Sequence, residues 1–396
     1  MDDWELDVGN RYAALLAVAL PSFVYGLFRF SVGIVVPKIE LGYGISDSLM
    51  GAIVSVSVGI VGLGVLASGS IAGRYGNRAT IMSGMALFCV SLGIMAVGVS
   101  LIVFTALFLL ASFGSGLIIP TSYLVVAAIL PQRRGIGAGL VTSAYNVGGL
   151  VGPAVVGYLL LYFSWNTAFF VIPVAGIVTI VAYMATIPSS AGNTPPGPKG
   201  QFRSLLGNRT VVLLAVAGFL ADAAFVTYLS WTPKFLLASF DVTGGTTALV
   251  DFLFGVGIGV GGLGIFTVGV LFERIGGRTS AIIGGIAATL ATLGVYLSTS
   301  LFMAVSLVIA GSFFLNWFWS LITIMSQTSV PKASRSASTS LVQTTAFLGA
   351  FMGPGLAGVL GGAQTVPLII AVVVPNALYT LVMAFFYRDR PLQVHS

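Results

Sequence analysis

Three ionisable residues stand inside stretches of chain that are otherwise apolar: Arg29, Asp222 and Asp251. At bilayer depth such a group costs about 2.5–3.5 kcal/mol to insert, so each is a functional candidate by default. A guanidinium stays charged even in a poor solvent and offers a planar fork that matches a carboxylate. An aspartate placed near it can gain or lose a proton as its surroundings change. Together the two types suit the binding of an organic anion and the coupling of its movement to a proton. Tyr25, four residues before Arg29, shares its helix face and can donate a hydrogen bond to the same ligand. Tyr123, Asn146, Tyr228 and Asn316 are further mid-membrane polar groups that a solute can meet, with Tyr145, Trp317, Trp319 and Gln343 beside them. For each of these, interhelical hydrogen bonding or packing is the competing role.

The elements that must position these residues follow from composition. The chain has 396 residues, of which 57% are hydrophobic and 7% charged. Soluble domains carry about a quarter of their residues as charges, so a soluble globular protein is excluded. The 51 glycines fit closely packed membrane helices. One cysteine (Cys89) and one histidine (His395) leave no disulfide framework and no Cys/His metal cluster. No metal or cofactor is therefore expected.

Apolar runs long enough to cross about 30 Å of hydrocarbon recur twelve times. They lie at 12–36, 48–72, 79–98, 101–128, 136–161, 167–187, 211–237, 246–272, 279–298, 302–329, 336–360 and 367–387. The acidic flank Met1-Asp2-Asp3-Trp4-Glu5 argues against a cleavable signal peptide. With the N-terminus inside, fourteen lysines and arginines fall on the inner side and two, Lys38 and Lys234, on the outer. Both termini are thus expected in the cytoplasm of a multi-pass cell-membrane protein. The net charge of +6 rings the inner face and reads as topology and lipid contact, not nucleic-acid binding. Residues 188–210, with Pro195-Pro196-Gly197-Pro198, read as a cytoplasmic linker between bundles 1–187 and 211–396. No loop can hold an ATP-hydrolysing domain, so an enzyme is not expected and uphill movement must draw on a gradient.

Depth follows from the helical rise. Arg29 precedes Lys38 by nine residues, roughly 13 Å inside the outer end of the first span. Asp222 precedes Lys234 by twelve, roughly 18 Å in and near the middle of the seventh. Asp251 begins the eighth span, roughly 33 Å from Glu273, which places it at the outer mouth in a solvated, latching or coupling role.

The chain also repeats itself. Gly59 to Gly64, Gly69 and Gly73-Arg74-Tyr75-Gly76-Asn77-Arg78 return 200 residues later as Gly259 to Gly264, Gly269 and Glu273-Arg274-Ile275-Gly276-Gly277-Arg278. Arg134, Gly148, Gly152-Pro153 and Gly157 match Arg335, Gly349, Gly353-Pro354 and Gly358, and Pro37-Lys38 matches Pro233-Lys234. Two parallel six-helix repeats explain this pattern.

These paired motifs resemble the loop signature of the major facilitator superfamily of secondary transporters, Gly-x-x-x-Asp-Arg-x-Gly-x-Arg after the second and eighth helices. Positions 269–278 carry Glu273 in the acidic place; positions 69–78 carry Gly73 there. The resemblance implies an all-α membrane protein of twelve helices in two pseudo-symmetric bundles, working by alternating access. It further implies that Arg74, Arg78, Glu273, Arg274 and Arg278 form a conformational latch, with Glu273 favoured near a helix N-terminus. The Gly148-x-x-x-Gly152-Pro153 segment resembles a motif of proton-coupled drug exporters; as packing, it reads as a close helix pair (fifth with eighth, eleventh with second). The run Arg29-Phe30-Ser31-Val32-Gly33-Ile34-Val35-Val36-Pro37 is similar to the first helix of organic anion and organophosphate transporters, where the arginine contacts the anionic group.

By the repeat, Arg29 aligns with Phe225 and Asp222 with Gly26, which puts the two charges at similar depth. A buried ion pair that only holds the halves together is one reading. The other is transport of a small mono- or dicarboxylate by a monomer, with Arg29 as anion binder and Asp222 as proton-coupling group. The alternative function is proton-coupled export of drugs or other apolar or cationic compounds.

Overall fold

The computed structural model describes residues 8–130, 134–188, 205–243, 245–331 and 334–387. Most of the 188–210 linker, the first seven residues and the last nine lie outside them. Helices follow one another as α1 (Val8–Tyr43), α2 (Asp47–Tyr75), α3 (Asn77–Met95), α4 (Leu101–Ile129), α5 (Arg134–Leu159) and α6 (Trp165–Thr186). The second set is α7 (Arg209–Ser239), α8 (Gly245–Ile275), α9 (Gly277–Leu297), α10 (Leu301–Thr328), α11 (Arg335–Leu360) and α12 (Thr365–Phe386). Among the described residues, 11 of these are both long and apolar enough to cross a bilayer. The other, α11, has 26 residues and alternates its apolar positions with serine, threonine and Gln343. No strand occurs among the described residues.

The helices form where the apolar runs lie because lipid leaves backbone groups no partner outside their own segment. The largest departure from the expected bounds is α1. It continues through Pro37 to Tyr43 for 36 residues, about 54 Å of helix. Its C-terminal end therefore carries Lys38 and Glu40 on a helix and not on a loop.

The repeat is visible atom by atom at two turns. Gly76, between α2 and α3, has φ +87°, and Gly276, between α8 and α9, has φ +83°. An L-side chain in that region costs roughly 1–2 kcal/mol, which is why glycine recurs there. Each carbonyl is then taken by the hydroxyl four residues on: Thr80 Oγ1 donates to Gly76 at 2.8 Å, and Ser280 Oγ to Gly276 at 2.8 Å. Arg78 donates to the Met184 carbonyl near the end of α6 at 2.9 Å. Arg278 donates to the Ala384 carbonyl near the end of α12. Donors and acceptors are both 200 residues apart, so one clamp is built twice.

The glycines of the α5 and α11 motifs serve close packing, each against the first helix of its own repeat. A Cβ on Gly148 would lie 2.2 Å from the Phe23 carbonyl oxygen of α1, and one on Gly349 would lie 1.9 Å from that of Phe219 on α7. The expected contact of α11 with α2 is also present, where Ser48 Oγ donates to the Gly358 carbonyl at 3.1 Å.

The chain divides into two compact units, residues 1–32 with 60–197 and residues 33–59 with 198–396. In the first, Phe28 of α1 packs against Phe88 (5.2 Å), Phe108 (5.6 Å) and Phe169 (5.9 Å) of α3, α4 and α6. In the second, the outer part of α1 and the adjoining part of α2 join α7 to α12.

Candidate functional site

In the first unit, the residues on either side of Arg29 determine its placement. Phe28 turns into the aromatic core, and Phe30 meets Tyr145 of α5 at 5.0 Å. Arg29, between them, is left half-buried. Among the described residues its guanidinium makes no hydrogen bond or ion pair. Tyr25 lies one turn earlier on α1, buried, with its ring 5.5 Å from that of Tyr145. On the neighbouring helices Tyr123 and Thr142 share a hydrogen bond of 2.9 Å between their hydroxyls. Asn146 Nδ2 donates to the Thr142 carbonyl at 2.9 Å, and its buried Oδ1 accepts nothing from the described residues. Thr142 thus draws the Tyr123 and Asn146 positions together.

The second unit holds the other candidates. Asp222, half-buried on α7, lines a shallow recess with Trp319 and Thr323 of α10 and Gln343 of α11. A carboxylate, an indole, a hydroxyl and an amide therefore share one wall. Tyr228 and Asn316 lie elsewhere, joined at Ser312 of α10. The Tyr228 hydroxyl donates to the Val308 carbonyl at 3.1 Å and lies 3.4 Å from Ser312 Oγ, while Asn316 Nδ2 donates to the Ser312 carbonyl at 2.8 Å. Tyr228 is fully buried and Asn316 8% exposed.

Near the C-terminal ends of α2 and α8, Arg74, Glu273 and Arg274 are exposed, and Arg74 lies over the Tyr75 ring at 5.4 Å. Arg78 and Arg278 are the carbonyl clamps described above. Glu273 makes no hydrogen bond or ion pair with the described residues.

Two features near the C-terminal end of α1 differ from expectation. Asp251 is not solvated: it is 1% exposed, because α8 begins at Gly245 and carries it more than a turn into the packed helix. Lys234 is more than a topological marker. Its Nζ lies 2.5 Å from Glu40 Oε2 of α1 and 2.7 Å from Asp47 Oδ1 of α2. The ammonium also sits 5.6 Å over the Trp231 ring, whose Nε1 donates to the Pro354 carbonyl of α11 at 3.1 Å. One lysine therefore ties α1 and α2 to α7. The Pro37-Lys38 and Pro233-Lys234 match marks this place in the sequence, but a first span ending at residue 36 leaves Glu40 outside it.

A model of the Major Facilitator Superfamily matches residues 18–309 and 240–396, which together span nearly the whole chain. The chain belongs to this superfamily. It is a multi-pass membrane protein of a transporter family, not an enzyme. Among curated relatives of this superfamily member, the hexuronate transporter of Bacillus subtilis is 24% identical over 241 residues, 58% of this chain and 57% of that protein. The 4-hydroxybenzoate transporter PcaK of Acinetobacter baylyi is 24% identical over 184 residues, 46% of this chain and 40% of that one. The putative multidrug resistance protein MdtD of Citrobacter koseri is 28% identical over 215 residues, 54% of this chain and 45% of that one. The chain thus spans about half the length of these relatives. A bacterial homologue of the human lysosomal transporter Spinster, solved inward-facing and unoccupied, superposes with a TM-score of 0.81 at 16% identity. That match covers 96% of this chain and 98% of the solved one and establishes the twelve-helix fold.

Proposed function

We propose that this transporter moves a small organic anion, a mono- or dicarboxylate, across the cell membrane by alternating access, coupled to protons. The observation that carries this reading is the half-buried Arg29 guanidinium, which has no protein acceptor among the described residues. A cation held at that depth without a counter-charge is costly, and an arriving carboxylate supplies the missing acceptors in bidentate form. Tyr25, Tyr123 and Asn146 complete the first repeat's contribution. The buried Asn146 Oδ1 supplies an acceptor for a hydroxylated solute. In the second repeat Tyr228, fully buried, ties α7 to α10 and Asn316 bonds within α10, so both act as supports of the second repeat's helices. Two relatives are named for carboxylate cargo, a hexuronate and 4-hydroxybenzoate, which supports the same class.

Asp222 is the proton-coupling group in this scheme. Substrate entering beside it changes the field at its carboxyl and with it the proton affinity. At the inner ends Arg74, Arg78, Glu273, Arg274 and Arg278 stabilise one state of the cycle over the other. Both termini lie in the cytoplasm, the protein works as a monomer, and the six-helix halves 1–187 and 211–396 are the moving bodies, joined by 188–210.

A second reading rests on the recess beside Asp222. A carboxylate facing an indole also suits a lipophilic cation, and one relative is named as a putative multidrug resistance protein. Proteoliposome uptake separates the two. Labelled glucuronate or 4-hydroxybenzoate should accumulate under an inward proton gradient and be displaced by other carboxylates. Displacement by tetraphenylphosphonium, with carboxylates inert, would favour the exporter.

A further inference from the structure

Asp251 is the feature of the molecule that transport through Arg29 and Asp222 leaves unexplained. It is 1% exposed, and neither carboxyl oxygen has a hydrogen-bond partner among the described residues. Buried carboxylates are otherwise paired or hydrogen-bonded, and an unsatisfied buried polar group asks for an account.

The donors around it are spoken for. From α7, the Tyr228 ring packs on Phe254, one turn along α8 from Asp251 at 6.1 Å between centroids, but its hydroxyl is bound to α10. Lys234 of the same helix is held by Glu40 and Asp47. From α9, the Tyr296 hydroxyl is bound to Thr232, and Arg278 reaches the far end of α12. The α10 helix, which packs along α8, contains no titratable side chain. The charge whose field reaches Asp251 is Lys38 of α1, which is itself exposed to solvent. Lys38 and the bridge residue Glu40 both belong to the last turns of α1, on different faces of it, so movement of that helix end changes the surroundings of both.

We propose that Asp251 is a second proton-binding residue of the transport cycle, gated by the Lys234–Glu40–Asp47 bridge. With the bridge closed, the side chain is a neutral carboxylic acid. When the outer ends of α1 and α2 leave α7, external water reaches the carboxyl. Its O–H bond then breaks, the proton passes to that water, and the carboxylate left behind faces the Lys38 ammonium. Closure runs the step in reverse. This gives the outer mouth a proton site of its own, separate from Asp222, and it does not depend on which solute is carried.

Infrared spectroscopy of the purified full-length protein, with no solute added, tests it. At neutral pH the protein should show the carbonyl stretch of a protonated carboxyl. The band should shift on heavy-isotope labelling of aspartate but not glutamate. It should persist in Asp222→Asn and disappear in Asp251→Asn. A wild-type protein without the band, or a band unchanged in Asp251→Asn, overturns the proposal. If Asp251→Asn does not fold, labelled Asp222→Asn decides alone, and failure of its band to shift overturns the assignment. In Lys234→Met the band should be lost at a lower pH than in wild type, because Asp251 then meets water. An unchanged or higher pH overturns the gating by Lys234. Because Arg29 takes no part and no cargo is present, these results stand or fall independently of the anion reading.

Discussion

At the scale of single residues, the proposed chemistry rests on the Arg29 guanidinium, which has no acceptor among the described residues. If Arg29 receives the carboxylate as proposed, replacing it with alanine removes a charged contact, a loss of about 2–5 kcal/mol. At about 1.4 kcal/mol per tenfold, apparent affinity for a carboxylate should fall by roughly 30-fold or more. Arg29→Lys keeps the charge and loses the fork, so it should fall between the two, as measured by concentration-dependent uptake. Asp222→Asn should leave counterflow exchange of labelled carboxylate intact while removing its response to an imposed pH gradient. Loss of both together would assign Asp222 to binding. That Arg29 stands within the first apolar span is legible from its spacing to Arg11 and Lys38. Its surroundings were not legible: that Phe28 and Phe30 turn inward and leave Arg29 half-buried depends on where α3, α4 and α5 pack.

At the scale of elements, hydrophobic runs alone located the twelve helices to within a few residues, except at the outer end of α1. Pro37 was a reasonable stop, since proline lacks the backbone donor of an interior turn. Packing on neighbouring helices lets α1 continue past it, and that extension places Glu40 beside Lys234. The repeat of Gly76 at Gly276 and of Arg78 at Arg278 is visible as a 200-residue offset, whereas the hydroxyl partners Thr80 and Ser280 and the carbonyls that the arginines reach come from the structure. Gly76→Ala or Gly276→Ala should each destabilise the detergent-purified protein by roughly 1–2 kcal/mol through the positive φ, read as a lower midpoint of thermal unfolding. The same change at Gly69 or Gly269, where a Cβ would meet nothing within 4 Å, should leave the midpoint near that of the parent.

At the scale of the whole molecule, residues 33–59 belong with 198–396 in this structure, and the Lys234 bridge is the charged part of that association, beside the Ser48–Gly358 hydrogen bond. We expect Lys234→Met to loosen it, since Glu40, 6% exposed, then keeps a buried charge without its partner. Spin labels at Leu41 and Leu249, both exposed, should report a broader and longer distance distribution in the variant than in a parent in which Cys89 has been replaced by alanine. The family and its twelve-helix architecture could be read from charge spacing and internal repetition. The bridge could not, because it joins residues almost 200 positions apart whose types are ordinary for outer loops.

The central claim is that Arg29 receives an organic anion, and equilibrium binding to the purified transporter tests it with matched pairs of ligands. Glucuronate should bind and glucose should not; 4-hydroxybenzoate should bind and 4-hydroxybenzamide should not. Arg29→Ala should abolish the difference within each pair. Equal binding of acid and neutral analogue to the wild-type protein, or retention of acid binding by the alanine variant, would contradict the account.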